Sequence, residues 1–426
     1  MKKFVIVLLV LIIFSGLIYY FILRPGPGSS SRDPNFGRDG LDKLKSLPYL
    51  TLSSEPADSK LNRVTTYNRE KAFDGYNLYT DAEKYAYLID MEGRIIHRWE
   101  FPSEGEWEYA ELLDKGDILT YSAGDSFARL DRYSNVLRHE PIPVHHDIAI
   151  VSDGTCWVPV ATPHRLYHSR MIQFDSILHL SEDWEQLAEW SSFSSLEELQ
   201  RLHEPSQFDV EPEIGSFSAA LKRFYYLRIS WLSTQVHEID NLIRGIVGLD
   251  KFDYYHLNTV ELLPDTELGR RDRRFAAGNL LTCLRHADLI LILDPTTGEI
   301  LWSWGSGILD WPHMPTMLDN GHILVYDNGA HRTYSRILEI DPVENQIVWE
   351  YRADPPENFY SETRGSNQRL DNGNTLICES ERGRAFEITP TGEMVWEFYN
   401  PEIVDGRRRL IYRMMRVPRE AVDKWL

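Results

Sequence analysis

Three histidines stand at matching places along the chain. His146 opens the run His145-His146-Asp147-Ile148-Ala149-Ile150, His256 opens Leu257-Asn258-Thr259-Val260, and His313 opens Met314-Pro315-Thr316-Met317. A neutral imidazole is a nitrogen nucleophile, and a neighbouring imidazolium is a proton donor. Transfer of a sulfuryl or phosphoryl group uses both, and it needs cations and amide donors on the non-bridging oxygens. Asn258, two residues after His256, falls on the same strand face. Arg285 is expected on the next strand, and Arg364 lies just before a later one. An arginine fork of donors suits a tetrahedral oxyanion. His145-His146-Asp147 is compact, but neighbours on a strand point to opposite faces, so the three are not expected to ligate one metal. The sequence carries no glycine-rich phosphate loop, no serine nucleophile elbow and no CxxC pair. No metal or cofactor is expected.

The elements that carry these residues repeat. The stretch from His313 to Tyr351 reads as an opening strand, the turn Asp319-Asn320-Gly321, a strand His322 to Tyr326, a strand Ser335 to Ile340, the turn Asp341-Pro342, and a last strand ending Trp349-Glu350-Tyr351. Asn-Gly and Asp-Pro between short alternating runs are hairpin chemistry, because Gly supplies positive φ and Pro presets φ. Related copies run from His256 and from Ser366. Trp302, Trp349 and Trp396 close the three copies at a spacing of 47 residues. Earlier copies start near Gly75, Glu108 and His145. A period of ~40–50 residues with about four strands per unit is the mark of a β-propeller. The expected fold is all-β: a six-bladed β-propeller over residues 67–401, with the innermost strand of each blade lining a central channel. On that reading the three histidines converge on one axis.

Other segments depart from the repeat. Residues 1–24 hold Lys2-Lys3 and an apolar run from Phe4 to Leu23, about 20 residues without charge, long enough to span a bilayer. No small-residue cleavage site follows, so a single-pass transmembrane anchor is expected. The lysines put the N-terminus in the cytoplasm and the globular part outside, in a periplasm or lumen. Residues 25–66 read as a mobile Pro/Gly/Ser-rich tether. Residues 191–253 read as a helical insertion, with a capping box at Ser194 and Glu197 and helical apolar spacing from Phe217 to Leu249. Residues 402–426 read as a basic tail, either touching anionic lipid or packing as a solvated helix across the last blade.

Composition narrows the partners. The 426 residues carry a formal net charge of -20, which argues against nucleic acid. Cys156, Cys283 and Cys378 all fall in expected strands and read as buried thiols rather than a disulfide framework.

The sequence resembles the arylsulfotransferase family. The resemblance is carried by HLNTVELLPD from His256, AGNLLTCLRHADLILILDPTTGEILWSWG from Ala277, HMPTMLDNGHILVYDNG from His313, YSRILEIDP from Tyr334 and FYSETRGSNQRLDNGNTLICES from Phe359. It implies a six-bladed propeller that moves a sulfuryl group from an aryl sulfate ester to a phenol through a transient sulfohistidine, with no nucleotide sulfate donor. It implies His313 as the nucleophile and His256 with Asn258 as sulfuryl-binding and leaving-group residues. His146 corresponds to a third channel histidine, and Arg285 to the channel arginine. The chain lacks the sizeable N-terminal β domain and the disulfide of periplasmic members, and so looks like a membrane-anchored branch. The competing expectation is a non-catalytic propeller tethered at the membrane as a binding or assembly module. A quinone-dependent dehydrogenase propeller would need more repeats and a cysteine pair.

Overall fold

The computed structural model describes residues 51–81, 83–101, 107–168, 170–205, 209 and 251–426. The anchor at 1–24 and most of the 191–253 insertion lie outside the described residues. Among the described residues, no helix is long and apolar enough to cross a membrane. The segment from Pro48 onward forms one compact unit.

The unit is all-β; its described residues form six antiparallel sheets of four strands, one of them with a fifth, and two small three-stranded sheets. Sheet 2 runs Trp107–Leu112, Ile118–Ser122, Ser126–Leu130, Val136–Glu140. Sheet 3 runs Ala149–Ile150, Cys156–Ala161, Asp175–Leu180, Gln186–Ser191. Sheet 4 runs Leu257–Leu262, Leu280–Leu284, Leu289–Leu293, Ile300–Trp304, and sheet 5 runs Pro312–Met317, Ile323–Asp327, Arg336–Asp341, Gln346–Tyr351. Sheet 6 runs Ser366–Arg369, Thr375–Glu379, Arg384–Ile388, Met394–Tyr399. The turns follow the sequence signals. Asp294 and Asp341 each accept two backbone N–H bonds at the start of their turns, the geometry that lets Asx residues reverse a chain. Gly321, at φ +86, supplies the left-handed residue of the Asp-Asn-Gly turn.

Six apolar clusters join the sheets in succession. Trp99 and Trp107 lie in the cluster between sheet 2 and sheet 1, the sheet that contains Tyr76–Thr80, Tyr85–Ile89 and Ile95–Glu100; Tyr121 and Val158 lie between 2 and 3, and Trp190 and Leu280 between 3 and 4. Ile290 with Val325 joins sheets 4 and 5, Leu324 with Phe386 joins 5 and 6, and Trp396 with Tyr79 joins 6 back to 1. Each large side chain buried in this way contributes about 1.5–3 kcal/mol. The repeating tryptophans add a directional contact. Trp302 donates its indole N–H to the Pro342 carbonyl, Trp349 to Pro390 and Trp396 to Met91, each reaching the turn of the following sheet. Trp99 does the same to Gly116. The period of 47 is therefore the spacing of one inter-sheet latch, worth about 1 kcal/mol per bond.

Sheet 1 departs from the sequence reading. Its strands are Met414–Val417, Tyr76–Thr80, Tyr85–Ile89 and Ile95–Glu100, so the strand at one edge comes from the C-terminal segment. That segment is neither a tail nor a helix across the last sheet; its one helix is the short Arg419–Val422. Its arginines are used internally. Arg416 pairs with Glu387 at 3.1 Å, both fully buried. Arg408 donates to the carbonyls of Asn400, Asp58 and Leu61. The expected tether is also shorter than 25–66. Leu52–Pro56 pairs with Arg407–Arg409, and Arg63–Tyr67 adds a fifth strand to sheet 6. Both ends of the unit are thus sewn into neighbouring sheets, which holds sheets 6 and 1 together by backbone hydrogen bonds.

In the described part of the insertion, the helix is only Leu196–Leu199. It is capped at Ser195 rather than Ser194, and with no side-chain bond. A small sheet of Arg165–Tyr167, Arg170–Gln173 and Lys251–Asp253 was not expected; it pairs Asp253 with Gln173, three residues before His256.

Candidate active site

The first strand of each sheet, or the turn just before it, carries a residue that can do chemistry. His146 and His256 just precede the first strands of sheets 3 and 4, His313 lies in the first strand of sheet 5, and Arg364 precedes sheet 6. Glu108 lies in the first strand of sheet 2, and Tyr412 precedes the Met414–Val417 strand of sheet 1. All six are buried. His146 and His256 both take left-handed backbone conformations, φ +65 and +54. Non-glycine residues in that region cost of order 1–3 kcal/mol and cluster where function requires a particular side-chain direction. Here the turn aims each ring out of its strand and toward the other.

His313 is held in one orientation. Its Nδ1 lies 2.7 Å from Asn328 Oδ1 and 3.2 Å from the Trp311 carbonyl. Asn328 is itself fixed, because its Nδ2 donates to the carbonyls of Ser361 and Arg364, both at 2.7 Å. Its Oδ1 can therefore only accept, and the proton of His313 sits on Nδ1. The lone pair is left on Nε2. Burial, reinforced by the Arg285 charge, pushes the His313 pKa down to about 3. At neutral pH this is an uncharged nitrogen nucleophile with a fixed tautomer.

His146 and His256 form a pair. Their Nε2 atoms are 2.9 Å apart, so one proton lies between them. His256 Nδ1 is 2.5 Å from Asp253 Oδ2 and donates to it, and His146 Nδ1 is 2.6 Å from the Tyr412 hydroxyl. Burial drives both histidines well below their ordinary pKa, with His256 also depressing His146 and Arg285 depressing His256. The sequence reading expected an imidazolium here; in the folded protein both rings are neutral. His145 turns away to Asp175, 3.3 Å distant, and Asp147 pairs with Arg413 at 2.6 Å. The three residues of the His-His-Asp run therefore point to three different partners, and the described residues hold no cluster suited to a metal ion.

Arg285 supplies the positive charge. It sits in a 3-10 turn after the second strand of sheet 4, not within the strand as expected. Its guanidinium stacks 4.8 Å from the Trp311 ring, and Nη2 donates to His286 Nε2 at 3.0 Å. Nε and Nη1 are buried with no hydrogen-bond partner among the described residues. A buried guanidinium with two unmatched donors is a receptor for an oxyanion. Arg364 lies over the Tyr412 ring at 5.7 Å. Asn258 is buried, with Nδ2 donating to the Pro312 carbonyl at 3.1 Å. The three expected thiols, Cys156, Cys283 and Cys378, are buried and unbridged.

Asn328, Asp253, Glu108 and Tyr412 were not singled out from sequence. Asn328 sits in the Asp-Asn-Gly that ends the second strand of sheet 5, where the residue types read as an ordinary turn.

These elements define an all-β protein with a buried site of histidines and arginines carried by sheets 3 to 6. Residues 228–401, which contain sheets 4 to 6, match the model of the arylsulfotransferase (ASST) family. No curated protein matches the chain. Among solved structures, a protein of unknown function from Bacteroides caccae is 15% identical, with a TM-score of 0.48, covering 80% of this chain and 98% of its own. A streptogramin B lyase is 13% identical, with a TM-score of 0.43 and coverage of 84% and 87%. The WD40 β-propeller domain of Doa1 is 10% identical, with a TM-score of 0.42 and coverage of 83% and 88%. Similarity at this level carries nothing about chemistry.

Proposed function

We propose that the six sheets form a six-bladed β-propeller and that the protein is a sulfotransferase. It moves a sulfuryl group from an aryl sulfate ester to a phenol through a sulfohistidine on His313, without a nucleotide donor. The observation that carries this reading is the fixed Nε2 lone pair of His313, electrostatically coupled to Arg285 with its two unmatched donors. The family match over residues 228–401 supports the same class of reaction.

In the first half-reaction His313 Nε2 attacks sulfur in line, the S–O bond to the aryl group breaks, and the phenolate leaves. Arg285, with Asn258 and Arg364, holds the sulfuryl oxygens as negative charge shifts. The proton shared by His146 and His256 passes to the leaving phenolate. In the second half an acceptor phenol gives its proton back to the pair while its oxygen takes the sulfuryl group. Initial rates at varied donor and acceptor should give the parallel reciprocal lines of a ping-pong reaction; intersecting lines would point to direct transfer instead.

The low pKa of His313 sets the acid side of the pH profile. Because the folded-state value is depressed, the neutral form is complete at every pH well above about 3. The phenolate burst should therefore stay level from about pH 8 down to about pH 5. A loss centred near the ordinary histidine pKa would mean that His313 is not the nucleophile.

The apolar run Phe4 to Leu23 supports the further reading that the chain is anchored in a membrane with the propeller on its outer side. The full-length chain should then stay with membranes through an alkaline carbonate wash; release into the wash would remove the anchor from the account.

A further inference from the structure

Two neutral histidines that share one proton pose a problem for the reaction. The leaving phenolate takes that proton, and the pair has no second one to replace it. The hydrogen-bond chain indicates where the replacement is kept. From Asp253 it runs through His256 Nδ1, the Nε2–Nε2 contact and His146 Nδ1 to the Tyr412 hydroxyl. Beyond Tyr412 lies Glu108. This carboxyl is 1% exposed, and neither of its oxygens makes a hydrogen bond in good geometry among the described residues. It lies close to the Tyr412 hydroxyl and within electrostatic reach of Arg364 and His145. A buried carboxyl whose oxygens make no hydrogen bond in good geometry is costly and calls for an explanation.

We propose that Glu108 is the proton reservoir of the transfer reaction, acting through Tyr412 and His146 on the His146–His256 pair. The inference rests on the sulfuryl-transfer reading above. In the resting state Glu108 is a carboxylic acid, a form that its burial favours. When the phenolate removes the proton between the two Nε2 atoms, the Tyr412 proton moves to His146 Nδ1 and the Glu108 proton moves to Tyr412. The phenol leaves neutral, and Glu108 is left as a carboxylate facing the Arg364 charge. Both Nε2 lone pairs then face the substrate as a base. The acceptor phenol releases its proton to them, and the chain runs in reverse to regenerate the Glu108 acid. One proton leaves and one returns in each cycle, so no outside acid is required.

Glu108 touches no substrate on this account, and its test must separate relay from support. Leaving-group dependence does so, since a poor leaving group needs the proton and a good one scarcely does. In the full-length chain Glu108→Gln keeps the shape but holds no transferable acid proton. It should slow the phenol burst about 100-fold with phenyl sulfate and only several-fold with 4-nitrophenyl sulfate. Tyr412→Phe should show the same selectivity, and the double variant should fall no further than either single one. Equal losses with both esters, no loss, or additive losses in the double variant would overturn the relay. If the wild-type chain cleaves neither ester, the sulfotransferase reading fails, and the relay is judged by nitrogen NMR of the histidines. Glu108→Gln should then change the proton position on His146 and leave His313 as it was; an unchanged His146 would overturn the relay independently of activity. Glu108→Asp, which retains an acid, should restore at least part of the phenyl sulfate rate if Glu108→Gln is folded but slow, and no rescue would count against the relay.

Discussion

His313→Ala should abolish sulfuryl transfer, with a fall of at least about 10⁴ in the burst rate, on the order of 5 kcal/mol of barrier. No neighbour can take over. His146 and His256 have both Nε2 atoms engaged with each other and their Nδ1 atoms engaged with Tyr412 and Asp253. His145 faces Asp175. The fold should survive, because His313 contributes little to the inter-sheet clusters. The structural cost is the Asn328 oxygen left without its donor, about 1–3 kcal/mol. The ring-sized space should admit imidazole, so added imidazole should restore part of the burst. Stopped-flow rates together with a melting curve check this. A folded His313→Ala protein that transfers sulfate at the parent rate would remove the nucleophile assignment.

Arg285→Lys should cost about 10²–10³ in rate, although the charge is kept. The guanidinium holds Nε and Nη1 as two fixed donors in one plane, and both are free for an oxyanion among the described residues. It is oriented by the Trp311 ring on its face and by His286 on Nη2. An ammonium is a point charge on a flexible stem and cannot reproduce a planar set of fixed donors while stacking on the indole. The loss should appear mainly in the chemical step, because charge on the sulfuryl oxygens shifts as sulfur is transferred. Unchanged kinetics in a folded Arg285→Lys chain would place the oxyanion elsewhere.

Much of this was legible in the sequence because it is local. Asp-Asn-Gly and Asp-Pro turns, alternating strands and the tryptophan period are all short-range signals, and they placed sheets 2 to 6. The matching positions of His146, His256 and His313, at or just before the first strands of sheets 3 to 5, follow from the same repeat. What was not legible depends on closure. Met414–Val417 joins Tyr76–Thr80 across more than 300 residues of chain, so nothing near Tyr412 marks it as a site residue. The arginines around it read as a basic tail, because their partners Asp147 and Glu387 lie on other sheets. Glu108 opens an ordinary alternating strand and is distinguished only by its burial. Asn328 is set apart from other turn asparagines only by the two carbonyls that fix its amide. The protonation state of the histidine pair also escaped the sequence, since an imidazolium is reasonable until both rings are seen to be buried beside arginines.

The most direct test is to mix the full-length protein with 4-nitrophenyl sulfate in the absence of a phenol acceptor, quench, and locate any sulfuryl group by intact-mass and peptide mass spectrometry. The account predicts one equivalent of 4-nitrophenolate released and a sulfuryl adduct on His313, which disappears when a phenol is added. A folded protein that releases 4-nitrophenolate with no adduct, or carries the adduct on another residue, would contradict it. Neither release nor adduct would leave the tethered binding propeller as the better account of the fold.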